Sequence, residues 1–211
     1  MASSEVQRLI EVMHTLRERC PWDAQQTHRS LVGYLVEETL EVVEAIESGT
    51  DTDLAEELGD LLLQVVFHAE IAAEESRFTI DDVARGVADK LIARHPYVFS
   101  DDSVPEDLLT SWEQRKRAEK GRSSALDGIP SRMSALSRAT KVIARTERLG
   151  AEVPLEVPGD DIGARMVALV AEAHTEGIDA EQAAREAVRR LEERILTAEA
   201  RQSQNGHQPP G

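Results

Sequence analysis

Five acidic residues in two short patterns offer the clearest chemistry in this chain. Glu37, Glu38 and Glu41 form an EExxE pattern, and Glu57 and Asp60 form ExxD. Residues three or four apart project from one face of a helix, so each pattern gathers its carboxylates on one side. Glu38 shares a stripe with Leu31, Tyr34, Val42 and Ala45, and Asp60 shares one with Leu63 and Phe67. Both acids are therefore expected where a helix faces a core, a place in which an unpartnered charge is costly. Two like charges about 4 Å apart repel by roughly 4 kcal/mol at an effective dielectric near 20, so such a cluster needs protons or cations. Hard oxygen donors without a nearby Cys or helical His pair favour magnesium, with manganese as the alternative, over zinc. Neither Glu41 nor Glu57 begins a Glu-x-x-His motif, which argues against a di-iron bundle. Spacing alone also fits acids that line a solvated groove or pair with arginines between helices.

Cations stand in comparable pairs. Lys90 and Arg94 lie four apart, as do Lys116 and Lys120, so each pair can share a helical face. Carboxylates that hold a metal, with cations at the rim, suit a triphosphate better than a neutral substrate. Lys120 fits equally well as a cation that compensates a helix C-terminus. No Ser, His and Asp set stands out for covalent catalysis.

The wider composition narrows the function classes. Forty acidic residues against 24 Lys and Arg leave a net charge of −16, which argues against a large nucleic-acid footprint, because such binding needs basic residues on phosphates. A single cysteine, Cys20, forms no internal disulfide and fits a reducing compartment. The first residues, MASSEVQRLI, hold no apolar signal core, and no run approaches the length of a membrane span. The expectation is a soluble, cytoplasmic protein with no membrane or nucleic-acid partner.

The elements that must position these groups are helices. Aromatics make up only 3% of a chain in which Ala, Leu, Val, Glu and Arg dominate, a balance that favours an all-α fold. Val6, Leu9, Ile10, Met13 and Leu16 mark a first helix that stops before Pro21. After a polar connector, CPWDAQQTH, the second helix is expected from Ser30 to Ser48 with Gly49 as its stop, and the third from Thr52 or Asp53 to about Ser76. Thr79 and Asp82 are spaced as a capping box for a fourth helix that ends at His95 and Pro96. The loop PYVFSDDSVP leads to a fifth, expected from Pro105 to about Lys120. Beyond it, helices are expected over Ser131 to Leu149, Asp160 to Glu176 and Asp179 to Ala200.

The chain also resembles itself. EELGDLLLQVV, Glu56 to Val66, aligns with DDIGARMVALV, Asp160 to Val170, and ARGVADKLIAR, Ala84 to Arg94, aligns with AREAVRRLEER, Ala184 to Arg194. These matches predict an internal duplication. No EExxE precedes the second copy, and Ala164 stands where Asp60 stands in the first. The expected organisation is a catalytic domain over residues 1–120, a linker with one helix over 121–159, a degenerate and non-catalytic second half over 160–200, and a disordered tail over 201–211.

Taken in order, CPWDAQQTHRSL, YLVEETLEVVEAI, LAEELGDLLLQVVFHAEIA, DVARGVADKLIARHPYVF and SWEQRKRAEK resemble the MazG family of nucleotide pyrophosphohydrolases, over residues 5 to 120. The resemblance implies a MazG-like bundle of four to five helices and Mg2+-dependent cleavage of NTP or dNTP between the α and β phosphates, releasing NMP and pyrophosphate. It implies metal ligands at Glu38, Glu41, Glu57 and Asp60, with Glu37 and Glu38 acting in the chemistry and Glu37 a candidate either to support the metal ligands or to orient the attacking water. Lys90, Arg94, Trp112 and Lys116 match nucleotide contacts, Lys120 extends that set, and Trp22 of CPWD is a candidate for the base pocket. A homodimer or larger assembly and a housecleaning or regulatory role in the nucleotide pool are implied too. The competing reading is a non-catalytic helical module that binds a nucleotide or a protein and keeps the acidic cluster as a relic.

Overall fold

In the computed structural model, residues 4–100, 103–119, 121, 124–148, 159 and 161–205 are described. Every regular element among them is a helix, as the composition predicts. In chain order these are α1 (Glu5–Arg19), α2 (Pro21–Gln25), α3 (Val32–Ser48), α4 (Asp51–Glu74), α5 (Ile80–Arg94), α6 (Pro96–Phe99), α7 (Leu108–Glu119), α8 (Ala135–Arg148), α9 (Ile162–Thr175) and α10 (Ala180–Asn205). No helix among the described residues is long and apolar enough to cross a membrane.

Local chemistry sets the helix ends. Thr79 accepts the Asp82 amide while Asp82 accepts the Thr79 amide at 2.9 Å, the capping box expected from the spacing. Thr50 and Asp53 build the same reciprocal cap on α4, which starts the helix at Asp51. Gly49 does end α3, but its φ of −88° is ordinary. A side chain there is excluded by contact, because a Cβ would stand 2.9 Å from the Ala45 Cα and carbonyl oxygen. Two stretches read as loops contain single short helices, α2 and α6, each opened by a proline at its first turn.

The chain divides into two compact units, Met1–Val104 and Pro105–Gly211. Helix α7, expected to close the first unit, falls in the second. It also begins later than Pro105, because the Asp107 carboxylate accepts the Thr110 amide at 2.9 Å and caps the first turn there. Helix α10 continues past the expected stop at Ala200 to Asn205, since no Gly or Pro interrupts the chain before Gly206.

In the first unit α4 is the central helix, with α1, α3 and α5 packed on it. Met13, Leu31, Val66, Phe67 and Ile71 form its core, bordered by Leu9, Ile10, Leu63 and Ile80. The segment after α1 is clamped onto this core. The buried Arg17 guanidinium donates to the carbonyls of Asp23 and Gln26, pairs with Glu74, and lies over the Phe67 ring. Arg77 donates to His28 Nε2, so His28 keeps its proton on Nδ1 and gives it to His68 Nδ1 at 2.7 Å. In the second unit α8, α9 and α10 pack on one another, with Ile143, Ala164 and Val170 buried.

Candidate active site

The site is built on the hairpin of α3 and α4, whose short connection makes the two helices antiparallel. Glu38, Glu41 and Glu57 converge there, each offering an oxygen within 4.8 Å of the others. Asp60 lies outside that set, yet its charge acts on both Glu38 and Glu57. The largest charge acting on Glu38 is that of Asp60, and the largest acting on Glu57 is that of Glu41. The strongest charge effects on these two acids therefore cross from one helix to the other, from Asp60 to Glu38 and from Glu41 to Glu57. Both α3 and α4 put apolar residues on the same stripes: Leu31, Val42, Ala45 and Phe67 are buried.

Burial and crowding disfavour ionisation. Glu38 is held above the ordinary carboxylate range first by desolvation, then by a hydrogen bond with Glu41 and by the charges of Asp60, Glu41 and Glu37. A hydrogen bond between two carboxyls requires one of them to carry a proton. Glu57 is raised by desolvation and by Glu41, Glu56, Asp60 and Asp53. A cation removes the same repulsion without a proton. Oxygens on opposite sides of a magnesium ion stand about 4 Å apart, so this all-oxygen set fits a hard divalent cation after small rotamer adjustments. Glu37 is exposed on the neighbouring face of α3.

The remaining expected residues are distributed unevenly. Lys90 and Arg94 occupy the end of α5, which packs on α4, with Lys90 exposed and Arg94 half-buried. Trp112 and Lys116 belong to α7 in the second unit, where the ammonium lies 4.1 Å from the indole ring centre. Lys120 lies outside the described residues. Trp22 is half-exposed on α2 and meets Tyr34 edge to face, with ring centres 6.0 Å apart. Tyr34 departs from its expected place toward the core and is 43% exposed, because its ring turns to Trp22. Sequence reasoning gave Tyr34 no part in a site, although it lies four residues before Glu38 on the same stripe.

Comparison with known proteins follows the same segment of the chain. The MazG nucleotide pyrophosphohydrolase domain matches residues 26–99, which contain all five acids. An uncharacterised 26.1 kDa protein of Streptomyces cacaoi is 43% identical over 90% of this chain and 81% of its own. The nucleoside triphosphate pyrophosphohydrolase of Escherichia coli K12 is 44% identical over 70% of this chain. This chain spans 59% of that relative's length. The crystal structure of a MazG-related protein from Thermotoga maritima matches 53% of this chain and 98% of its own, at 27% identity and a TM-score of 0.46.

Proposed function

The chain belongs to the MazG nucleotide pyrophosphohydrolase family, and from that premise we propose that it hydrolyses NTP or dNTP between the α and β phosphates, with Mg2+ held by Glu38, Glu41, Glu57 and Asp60. The convergence of three carboxylates from α3 and α4, with Asp60 adding its charge, carries this reading. Bound magnesium supplies a Lewis acid for phosphoryl oxygens and lowers the pKa of a coordinated water.

The protein's own groups do the rest. Glu38, Glu41, Glu57 and Asp60 would hold the cation, and the raised proton affinity of Glu38 and Glu57 makes cation loading compete with protonation. Glu37 takes a proton from the water that attacks the α phosphorus. The bond to the bridging oxygen breaks and pyrophosphate departs, its growing charge met by Lys90 and Arg94. Trp112 and Lys116 keep the role that the resemblance implies, contacts to the nucleotide.

Exposed apolar residues on α4, Leu58, Leu62 and Val65, and on α5, Val87 and Leu91, support pairing of two subunits. The second half carries no second site in this reading, and the role is removal of nucleotides from the cytoplasmic pool. The test is to incubate the full chain with each NTP and dNTP plus magnesium. Expected products are NMP and pyrophosphate. Release of NDP and orthophosphate would reassign the bond, and no release would overturn the activity. Light scattering that finds a monomer at micromolar concentration would contradict the dimer.

A further inference from the structure

A directed chain of hydrogen bonds enters the first unit at Arg77 and ends on a buried donor. The Arg77 guanidinium can only donate, so the His28 Nε2 that it meets presents a lone pair and the His28 proton is on Nδ1. The Nδ1 atoms of His28 and His68 lie 2.7 Å apart, while the ring centres lie 5.0 Å apart in planes only 8° from parallel. The nitrogens are much closer together than the rings, so each points at the other and the bond runs edge to edge in nearly one plane. Nδ1 of His68 is then the acceptor, and a neutral imidazole that accepts on Nδ1 carries its proton on Nε2. Burial, followed by the charge of His28, lowers the His68 pKa and keeps that ring neutral near pH 7.

Nε2 of His68 is buried and has no hydrogen-bond partner among the described residues. One turn earlier on the same face of α4, Gln64 is only 5% exposed, and its Oε1 is buried and equally without a partner. Buried polar atoms in that state are unusual and costly. Here the two are complementary, a donor and an acceptor four residues apart that do not reach each other directly. Whatever joins them must accept from Nε2–H and donate to Oε1. A metal ion finds no lone pair on a protonated nitrogen, and an anion has no proton for the amide oxygen. Water meets both demands.

We propose that one buried water bridges His68 Nε2–H and Gln64 Oε1, completing a hydrogen-bonded seam from Arg77 through His28 and His68 to Gln64. The seam ties together three segments that are separate in the chain. Arg77 belongs to the turn after α4, His28 to the connector before α3, and Gln64 to the stripe of α4 that carries Asp60 one turn earlier. Both bridged atoms are shut off from solvent, so the water is enclosed as the protein folds. The site is independent of the triphosphate reading, because no substrate atom takes part in it.

The first measurement is nuclear magnetic resonance on the full chain, labelled with 15N, at pH 7.5. Long-range 15N–1H spectra should show His28 protonated on Nδ1 and His68 on Nε2. The His68 Nε2–H should give a cross-peak to a long-lived water, and Gln64→Leu should abolish it. The second is a double-mutant cycle in urea. Gln64→Leu and His68→Leu should each raise the unfolding constant by about 5- to 100-fold. The double variant should fall short of the product of the two by at least about fivefold, because the partners of one bridge are lost only once. A His68 without a proton on Nε2, or one with no water cross-peak in the parent, overturns the bridge. So does a double variant within twofold of the product. Coupling without a water cross-peak means a direct bond between the two side chains and likewise overturns it. Variants that fail to fold leave the decision to the parent's spectra.

Discussion

Inside α4, Glu57 and Asp60 stand well beyond the first turn and face the acids of α3. At the aligned positions of α9, Asp161 is the N-cap, accepting the Ala164 amide at 3.0 Å, and Ala164 is buried. The apolar positions remain alike. Val66 and Val170 are both buried, and Leu58, Leu62 and Val65 are exposed just as Ile162, Met166 and Leu169 are. Each unit also ties its central helix to a neighbour by a His–Glu contact, His14 with Glu70 at 2.6 Å and His174 with Glu147 at 2.9 Å. A buried arginine side chain in each donates to two backbone carbonyls, Arg17 to Asp23 and Gln26, Arg145 to Ala125 and Asp127. The units part at α3, for no helix between α8 and α9 is found among the described residues. Packing survives with one helix pair, whereas a carboxylate cluster needs a second helix bearing acids in register. When the beginning of the helix moves to Asp161, its carboxylate has backbone amides to cap.

Substitutions in the acid cluster should separate the halves most sharply. Glu41→Gln or Glu57→Gln should lower pyrophosphate release by at least about 100-fold, while Asp161→Asn leaves it within about twofold. In metal-free protein Glu38→Gln should raise the melting temperature, because it removes a crowded charge. Comparable turnover in all of these variants would erase the distinction between the halves.

The arginine clamps make the halves comparable again. Arg17→Met and Arg145→Met should each cost about 1–3 kcal/mol in urea unfolding, since part-buried carbonyls lose their donors. A large loss in one and none in the other would show that only one clamp matters.

Acid should then weaken the first unit's clamp selectively. Burial, followed by the charge of His28, lowers the His68 pKa. An imidazole with a lowered folded pKa leaves stability intact above its ordinary value of about 6.5 and removes it as pH falls below that value. His28, Arg77 and Glu75 are the other charged or titratable groups along this contact. Urea midpoints measured from pH 7.5 to 5 should fall in the parent and flatten in His68→Gln at the acid end. An equal slope in both would remove His68 from the effect.

The smallest expected change tests the cap. Asp161→Ala should cost about 1 kcal/mol and Asp161→Asn much less, because Asn also accepts from the helix amides. Equal costs would mean that charge, not capping, keeps Asp161.

Much of this was legible before any coordinates. The EExxE and ExxD patterns lay on helices because apolar residues recur around them at helical spacing, and Thr79 and Asp82 announced a capping box. Local rules decide such features, since capping and periodicity involve neighbours a few residues apart. The start of α7 differs from the proline signal at Pro105 because Asp107 caps the first turn. Spacing places Tyr34 on the core stripe because it reports a face of the helix but does not report what another segment brings to it.

Sequence by itself determined the helices, the acid pairs and the absence of an ExxD pair from the aligned segment Asp160 to Val170, all of them properties of residue type and short spacing. Only the tertiary structure decided that Glu41 meets Glu57, that Asp60 stands slightly apart, and that Trp22 meets Tyr34. Those contacts join residues distant in the chain. Their geometry depends on how α3 docks on α4 and how the Arg17 clamp folds the preceding segment back, and no local spacing encodes either.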